Sequence, residues 1–247
     1  MKLPLSRFAA LTLAAFMAAP VSALSLYDPA LGLPSAQGWV TGFFPSSGND
    51  SLIPGPLLRI DTEAGGSIIQ HGHGRSTLPT TLDTVAGFTL NFSLNVVSET
   101  HDAGNDRAGF SLLVQGLNQA KSIQLSFWSG MVWASDTTFQ PLESMAHPTS
   151  VQQPYALYVV NDMFTLKSGA TTLLSGAMRD YPVTPGNPLT NVYGASNVLW
   201  FGDNTTSAKA IVDVGAITLS PIPEPASALM LLAGLAGLGA FAARRRA

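Results

Sequence analysis

The 247-residue chain contains no cysteine, which excludes disulfide cross-links and thiolate chemistry and leaves stability to packing. Charge is also scarce, with only 11% of residues Asp, Glu, Lys or Arg. Residues 24–225 hold all 15 acidic residues but seven basic ones (Arg59, Arg75, Arg107, Lys121, Lys167, Arg179 and Lys209), so this stretch carries −8 although the whole chain carries −3. Phosphate recognition requires clustered Lys and Arg, so nucleic acid is not a partner. A Gly-rich phosphate loop, a Gly-x-Ser-x-Gly elbow and a Cys/His dyad are all missing, which weighs against an enzyme. Before residue 226 no 3.6-residue apolar period lasts long enough for a substantial helix.

Both ends are specialised. Met1–Ala23 has Lys2 and Arg7, an apolar run from Phe8 to Ala19, and Val21-Ser22-Ala23 with small residues at the cleavage-determining positions. This predicts a secretory signal peptide on residues 1–23, cut after Ala23 by signal peptidase behind the Sec translocon. At the other end, Ala226 to Ala243 is an uncharged run of 18 residues. As a helix it is about 27 Å long, just enough for a bilayer core of about 30 Å. Arg244, Arg245 and Arg246 cannot cross cheaply and stop the segment, which predicts a transmembrane helix over 226–243 with its basic end in the cytoplasm.

Immediately before that run stand Pro223, Glu224 and Pro225. Pro-Glu-Pro, a short apolar helix and a terminal arginine cluster resemble the PEP-CTERM sorting signal of exopolysaccharide-producing Gram-negative bacteria. The resemblance implies a sorting signal over 222–247, processed by an exosortase, a membrane-embedded cysteine transpeptidase-like enzyme. The precursor would be tethered transiently to the inner membrane, and its product would reach the cell surface or extracellular matrix. The prolines would keep the motif extended and open to that enzyme.

Between the two ends, the expected domain covers residues 24–221. Residues 24–74 are rich in Gly, Pro and Ser and predict short edge-like strands around Trp39-Val40, Leu57–Ile60 and Ser67–Gln70. From Gly87 the pattern sharpens. Phe88, Leu90, Phe92, Leu94 and Val96 alternate with polar residues, a period of two that marks a half-buried strand. Similar strands are predicted over Ala108–Gln115, Ser122–Trp128, Met131–Ala134, Tyr155–Val160, Phe164–Lys167, Thr171–Leu174, Asn197–Phe201 and Ala208–Leu219. Strands at this spacing with Gly, Asn and Asp turns predict an all-β, antiparallel two-sheet sandwich. Tyr155–Val159, Phe164–Leu166, Leu199–Thr205 and Asp106–Leu112 resemble strands of concanavalin-like jelly rolls. More narrowly, residues 35–220 resemble "choice-of-anchor" domains, for which the resemblance implies no catalytic residues.

Several side chains are candidates for chemistry. Glu99, Asp102, Asn105 and Asp106 fall on one loop and offer the oxygens that calcium prefers, but they are also ordinary turn residues. Asp203-Asn204-Thr205 is a similar turn. Asp61 and Glu63, two residues apart, form an acidic pair of the kind a glycosidase needs, although Gly65 occupies the place of a third acid. His71-Gly72-His73 reads as a polar loop, with two imidazoles for a metal as the alternative. That alternative lacks a third ligand, and His101 and His147 are too distant in sequence to be assigned. Trp39, Trp133 and Trp200 read as core. Trp128, on the face of its strand opposite Ile123, Leu125 and Phe127, reads as exposed and as a glycan contact.

The expectation is therefore a non-catalytic, exported structural or binding protein without a required cofactor, with exopolysaccharide as a potential ligand. The alternatives are a divergent glycan hydrolase and a calcium-dependent adhesin.

Overall fold

The structure is a computed structural model that describes residues 23–44, 48–64, 70–101, 107–183 and 190–222. The expected signal helix, the Pro223-Glu224-Pro225 motif, the 226–243 helix and the terminal arginines lie outside the described residues, as do Asp102, Asn105 and Asp106. Among the described residues no helix is long and apolar enough to cross a membrane.

The described residues form sixteen strands: β1 (Leu24–Tyr27), β2 (Val40–Phe44), β3 (Asn49–Ile53), β4 (Leu57–Asp61), β5 (Gln70–Arg75), β6 (Phe88–His101), β7 (Ser111–Gln115), β8 (Ser122–Trp128), β9 (Met131–Ser135), β10 (Pro141–Ala146), β11 (Gln153–Val160), β12 (Met163–Ser168), β13 (Thr171–Ala177), β14 (Val198–Asp203), β15 (Ala208–Val214) and β16 (Ile217–Pro221). All pair antiparallel in two sheets. The first runs β13-β12-β11-β6-β15-β4-β3 and adds β16 and β1; the second runs β10-β9-β8-β7-β14-β5-β2. The all-β, two-sheet, jelly-roll-like architecture expected from the strand pattern is therefore present.

β6 is the spine of the first sheet. β11 lies along one side of its first half, while β16 and then β15 share the other side. Its alternation works as the sequence requires: Phe88, Leu90, Phe92, Leu94 and Val96 are buried, and the residues between them are not. They meet Phe110, Leu112 and Val114 together with Ile123, Leu125 and Phe127 of the second sheet in one continuous core. Fully burying such a side chain is worth about 1.5–3 kcal/mol, so this interface between the sheets is what closes the sandwich.

Four features differ from the sequence reading. The run around His71 is not a loop but β5, paired on one side with β2 and on the other with β14. Histidines replace the usual apolar residues on its inner face, and glycines leave its outer face bare, so no alternation is visible. Second, Ala208–Leu219 is two strands broken at Gly215-Ala216, where a Cβ on Gly215 would lie 2.2 Å from Ser93 Oγ. Third, β1, β3 and β10 form where no strand is expected, because pairing with neighbours overrides weak local signals. Fourth, the polar face of β8 is not solvated: Ser122, Gln124 and Ser126 are buried. The Gly, Asn and Asp turns expected between strands are present at two hairpins. Ser129-Gly130 joins β8 to β9, and Asn161-Asp162 joins β11 to β12 with both φ positive, as a tight hairpin demands.

Candidate functional site

At one margin of the sandwich the outermost strands of both sheets, β3 and β2, flank the space into which β5 points. His71 and His73, two residues apart on β5, turn both imidazoles inward, with ring centroids 5.4 Å apart and planes at 85°. Asp50 on β3 reaches them from the opposite sheet. Its Oδ1 lies 2.9 Å from His71 Nε2 and its Oδ2 3.3 Å from His73 Nε2. One potential ligand atom from each side chain lies within 4.8 Å of the other two. Thr41 Oγ1 on β2 stands 3.2 Å from His73 Nδ1. Both histidines are almost fully buried, and Asp50 is at the rim with 17% of its side chain exposed. Burial pushes the Asp50 carboxyl up, but His71 first and His73 next more than offset this and hold it well below the ordinary carboxylate range. An aromatic wall closes the inner side: Phe201 lies 5.2 Å from His73 and 4.9 Å from Trp39.

Residues 179–183 and 190–197 lie over the outer face of the second sheet. Arg179 bridges to Ser122 through two backbone hydrogen bonds, and Tyr181 and Tyr193 then cover Leu113 and Trp200. Beneath them runs a buried polar network. The Tyr193 hydroxyl donates to Gln124 Oε1, and Asn204 Nδ2 donates to both Gln124 Oε1 (3.1 Å) and the Tyr193 hydroxyl (2.6 Å). The Tyr181 hydroxyl donates to Ser135 O at 2.6 Å. Arg107 sits over the Phe139 ring, 4.7 Å from its centroid. This covering explains the burial of the polar face of β8, and only Trp128 at its end is half-buried.

Beside that covering segment an open groove of about 270 Å³ runs over β2 and β5. Val40, Gly42, Gly74 and Arg75 line it along the strands, Ser76 and Thr77 add hydroxyls, and Trp200, Val192 and Ala195 form the far side. The glycines make its floor bare backbone. Val40 is 74% exposed there.

The residues chosen from sequence fall in separate places. Trp128 stacks face to face on His101, donates its Nε1–H to the Arg107 carbonyl at 3.0 Å, and meets Trp133 edge-on. Trp39, Trp133 and Trp200 are buried, as expected. Of the calcium candidates only Glu99 is described. It pairs with His101 Nδ1 at 2.5 Å, and burial raises its carboxyl against the opposing pull of His101. Asp61 accepts hydrogen bonds from the Glu63 and Ala64 amides at 2.9 and 3.0 Å, while Glu63 accepts from Ser98 at 3.0 Å. The acidic pair therefore does not converge with Trp128 or the groove. Asp203 is fully buried; burial pushes its carboxyl well above the usual range despite hydrogen bonds from Thr205 N (2.9 Å) and Thr62 Oγ1 (3.0 Å). Asp50 was not a candidate at all. Nothing local marks it, because its partners lie 21 and 23 residues on and in the other sheet.

No curated protein matches the chain. Residues 221–246 match the PEP-CTERM protein-sorting motif. Among solved structures, the conserved carbohydrate esterase from Shiga toxin-encoding bacteriophage phi24B is 14% identical with a TM-score of 0.57, over 82% of this chain and all of the esterase chain. A sialidase is 11% identical with a TM-score of 0.51, over 84% of this chain and 19% of the sialidase. The Ca2+-bound exoplasmic/lumenal domain of VIP36 is 10% identical with a TM-score of 0.47, over 81% and 90% of the two chains. At such identities the likeness is one of fold. The chain is thus an antiparallel two-sheet β-sandwich that carries a PEP-CTERM protein-sorting motif at residues 221–246.

Proposed function

We propose that this is an exported surface or matrix protein, sorted by an exosortase on its tail, whose sandwich binds polysaccharide without cleaving it. The observation that carries the reading is the junction at Pro221, where the last residue of β16 is also the first residue of the sorting motif. The complete sandwich precedes the tail, so removing the tail costs no described strand other than the final residue of β16. Polysaccharide is the ligand class favoured by the groove. Its floor of glycine backbone leaves room for the face of a sugar ring, and its hydroxyls and the Arg75 guanidinium offer polar contacts. The phi24B esterase and a segment of the sialidase, both carbohydrate-directed by name, share the fold.

Two measurements test this. Replacing Pro223-Glu224-Pro225 with three alanines blocks maturation, seen as retention of the larger membrane-bound form; identical processing would remove the sorting arm. Purified protein is expected to bind exopolysaccharide or a glycan-array component without releasing product. Val40→Trp, which fills the groove, abolishes retention if the groove is the site, whereas loss confined to Trp128→Phe would move the contact to Trp128. Failure of the folded wild type to retain any glycan would end the binding reading. Product formation lost in Asp61→Asn or Glu63→Gln would establish a hydrolase.

A further inference from the structure

We propose that Asp50, His71 and His73 form a binding site for a divalent transition metal of the zinc class. Two imidazole nitrogens and one carboxylate oxygen make the donor set of borderline cations, whereas calcium and magnesium seek oxygen alone. Two of the ligand separations are already close to what such an ion needs, and all three groups lie within 4.8 Å of one another. Bonds of 2.0–2.1 Å in a tetrahedral site separate neighbouring ligand atoms by about 3.3 Å, and here Asp50 oxygens stand 2.9 and 3.3 Å from the two Nε2 atoms. A small outward shift of Asp50, the one ligand at the rim, opens the space.

The surroundings point the same way. Buried imidazole nitrogens normally find hydrogen-bond partners. Yet His73 Nε2, on a side chain 1% exposed and turned towards Asp50, has none among the described residues. His73 Nε2 faces Asp50 Oδ2 3.3 Å away. Ligation through His73 Nε2 requires the proton to sit on Nδ1, and Thr41 Oγ1 is placed to accept it. This is the outer contact by which metal-binding histidines are oriented. Phe201 and Trp39 behind the imidazoles exclude water from the inner side. Three protein ligands leave a fourth position, reached past Asp50. Because the ligands come from β3 and β5, the ion would join the two sheets at the margin where each ends in an edge strand, β3 and β2.

The test uses the full-length chain with a histidine-free affinity tag, purified in detergent, stripped with a chelator and titrated with zinc(II) or cobalt(II). The wild type is expected to take up one zinc per chain by mass spectrometry of metals. Its cobalt(II) form should show the absorption of a tetrahedral nitrogen and oxygen site. Asp50→Asn and His73→Gln lose that absorption, Thr41→Val weakens zinc about ten- to a hundredfold, and His101→Ala changes nothing. If His73→Gln does not fold, Asp50→Asn and Thr41→Val decide. A folded wild type that takes up no zinc overturns the proposal. So does uptake that is unchanged in folded Asp50→Asn and Thr41→Val.

Discussion

Leu24 lies opposite Leu219 in the ladder of β1 on β16. The first strand after the expected signal cleavage is therefore hydrogen-bonded to the last strand before the sorting motif, and residues 23 and 222 leave the sandwich at the same end. Leu26 and Tyr27 of β1 are fully buried. Leu26→Ala should lower the unfolding free energy by about 2–5 kcal/mol, measured by urea denaturation. Mass spectrometry should place the mature N-terminus at Leu24, since cleavage beyond Tyr27 would remove the strand; a stable product starting there would contradict its role.

Tyr155 gives a pH-dependent prediction. Its hydroxyl has no hydrogen-bond partner among the described residues, and burial pushes its pKa up to about 12. A group with a raised folded-state value contributes its full stability below its unfolded value, near 10, and loses it as pH rises towards 12. Tyr155→Phe should therefore flatten the alkaline loss of stability between pH 10 and 12. At pH 7 it should leave stability unchanged or raise it by up to about 1 kcal/mol, because no hydrogen bond is broken. Denaturation curves across that range decide the matter, and a loss above 1 kcal/mol at pH 7 would show an unseen partner.

Gly72 separates the two histidines and carries Trp200 against its other face. A Cβ there would lie 2.4 Å from Trp200 Cζ2 and 2.6 Å from the Phe201 carbonyl oxygen. Backbone cannot yield as a flexible side chain can, so Gly72→Ala should cost about 1–3 kcal/mol or more. A thermal melt of the variant should fall by several degrees; an unchanged midpoint would mean that β5 and β14 are not so closely apposed.

Tyr193 anchors the cover over the second sheet. Tyr193→Phe removes one hydrogen bond to Gln124 and one from Asn204 in a buried site. The expected loss is about 1–3 kcal/mol, with faster amide exchange in residues 190–197. Equal exchange in variant and wild type would show that apolar packing alone holds the segment.

The regularity of β6 over residues 88–96 was legible because each inward residue there is apolar and each outward one polar, so a single period reports both strand and face. β8 illustrates the limit. Its alternation identified the inner face correctly, but whether the polar face of Ser122, Gln124 and Ser126 meets water depends on Arg179, Tyr181 and Tyr193, more than fifty positions later. For β5 the pattern failed altogether, since histidine and glycine at alternate positions look like a loop until β2 and β14 are placed beside them.

From sequence alone came the alternation that demands two facing sheets, the turns that join successive hairpins, and the tail whose short motif is read without any tertiary partner. All are local, set by side-chain period, backbone preference or contiguous residues. Tertiary structure alone decided that Asp50 meets His71 and His73, that Trp128 rests on His101, and that β1 pairs with β16 beside the sorting motif. These contacts join residues far apart in the chain, and they exist only once burial of the common core has brought the sheets together.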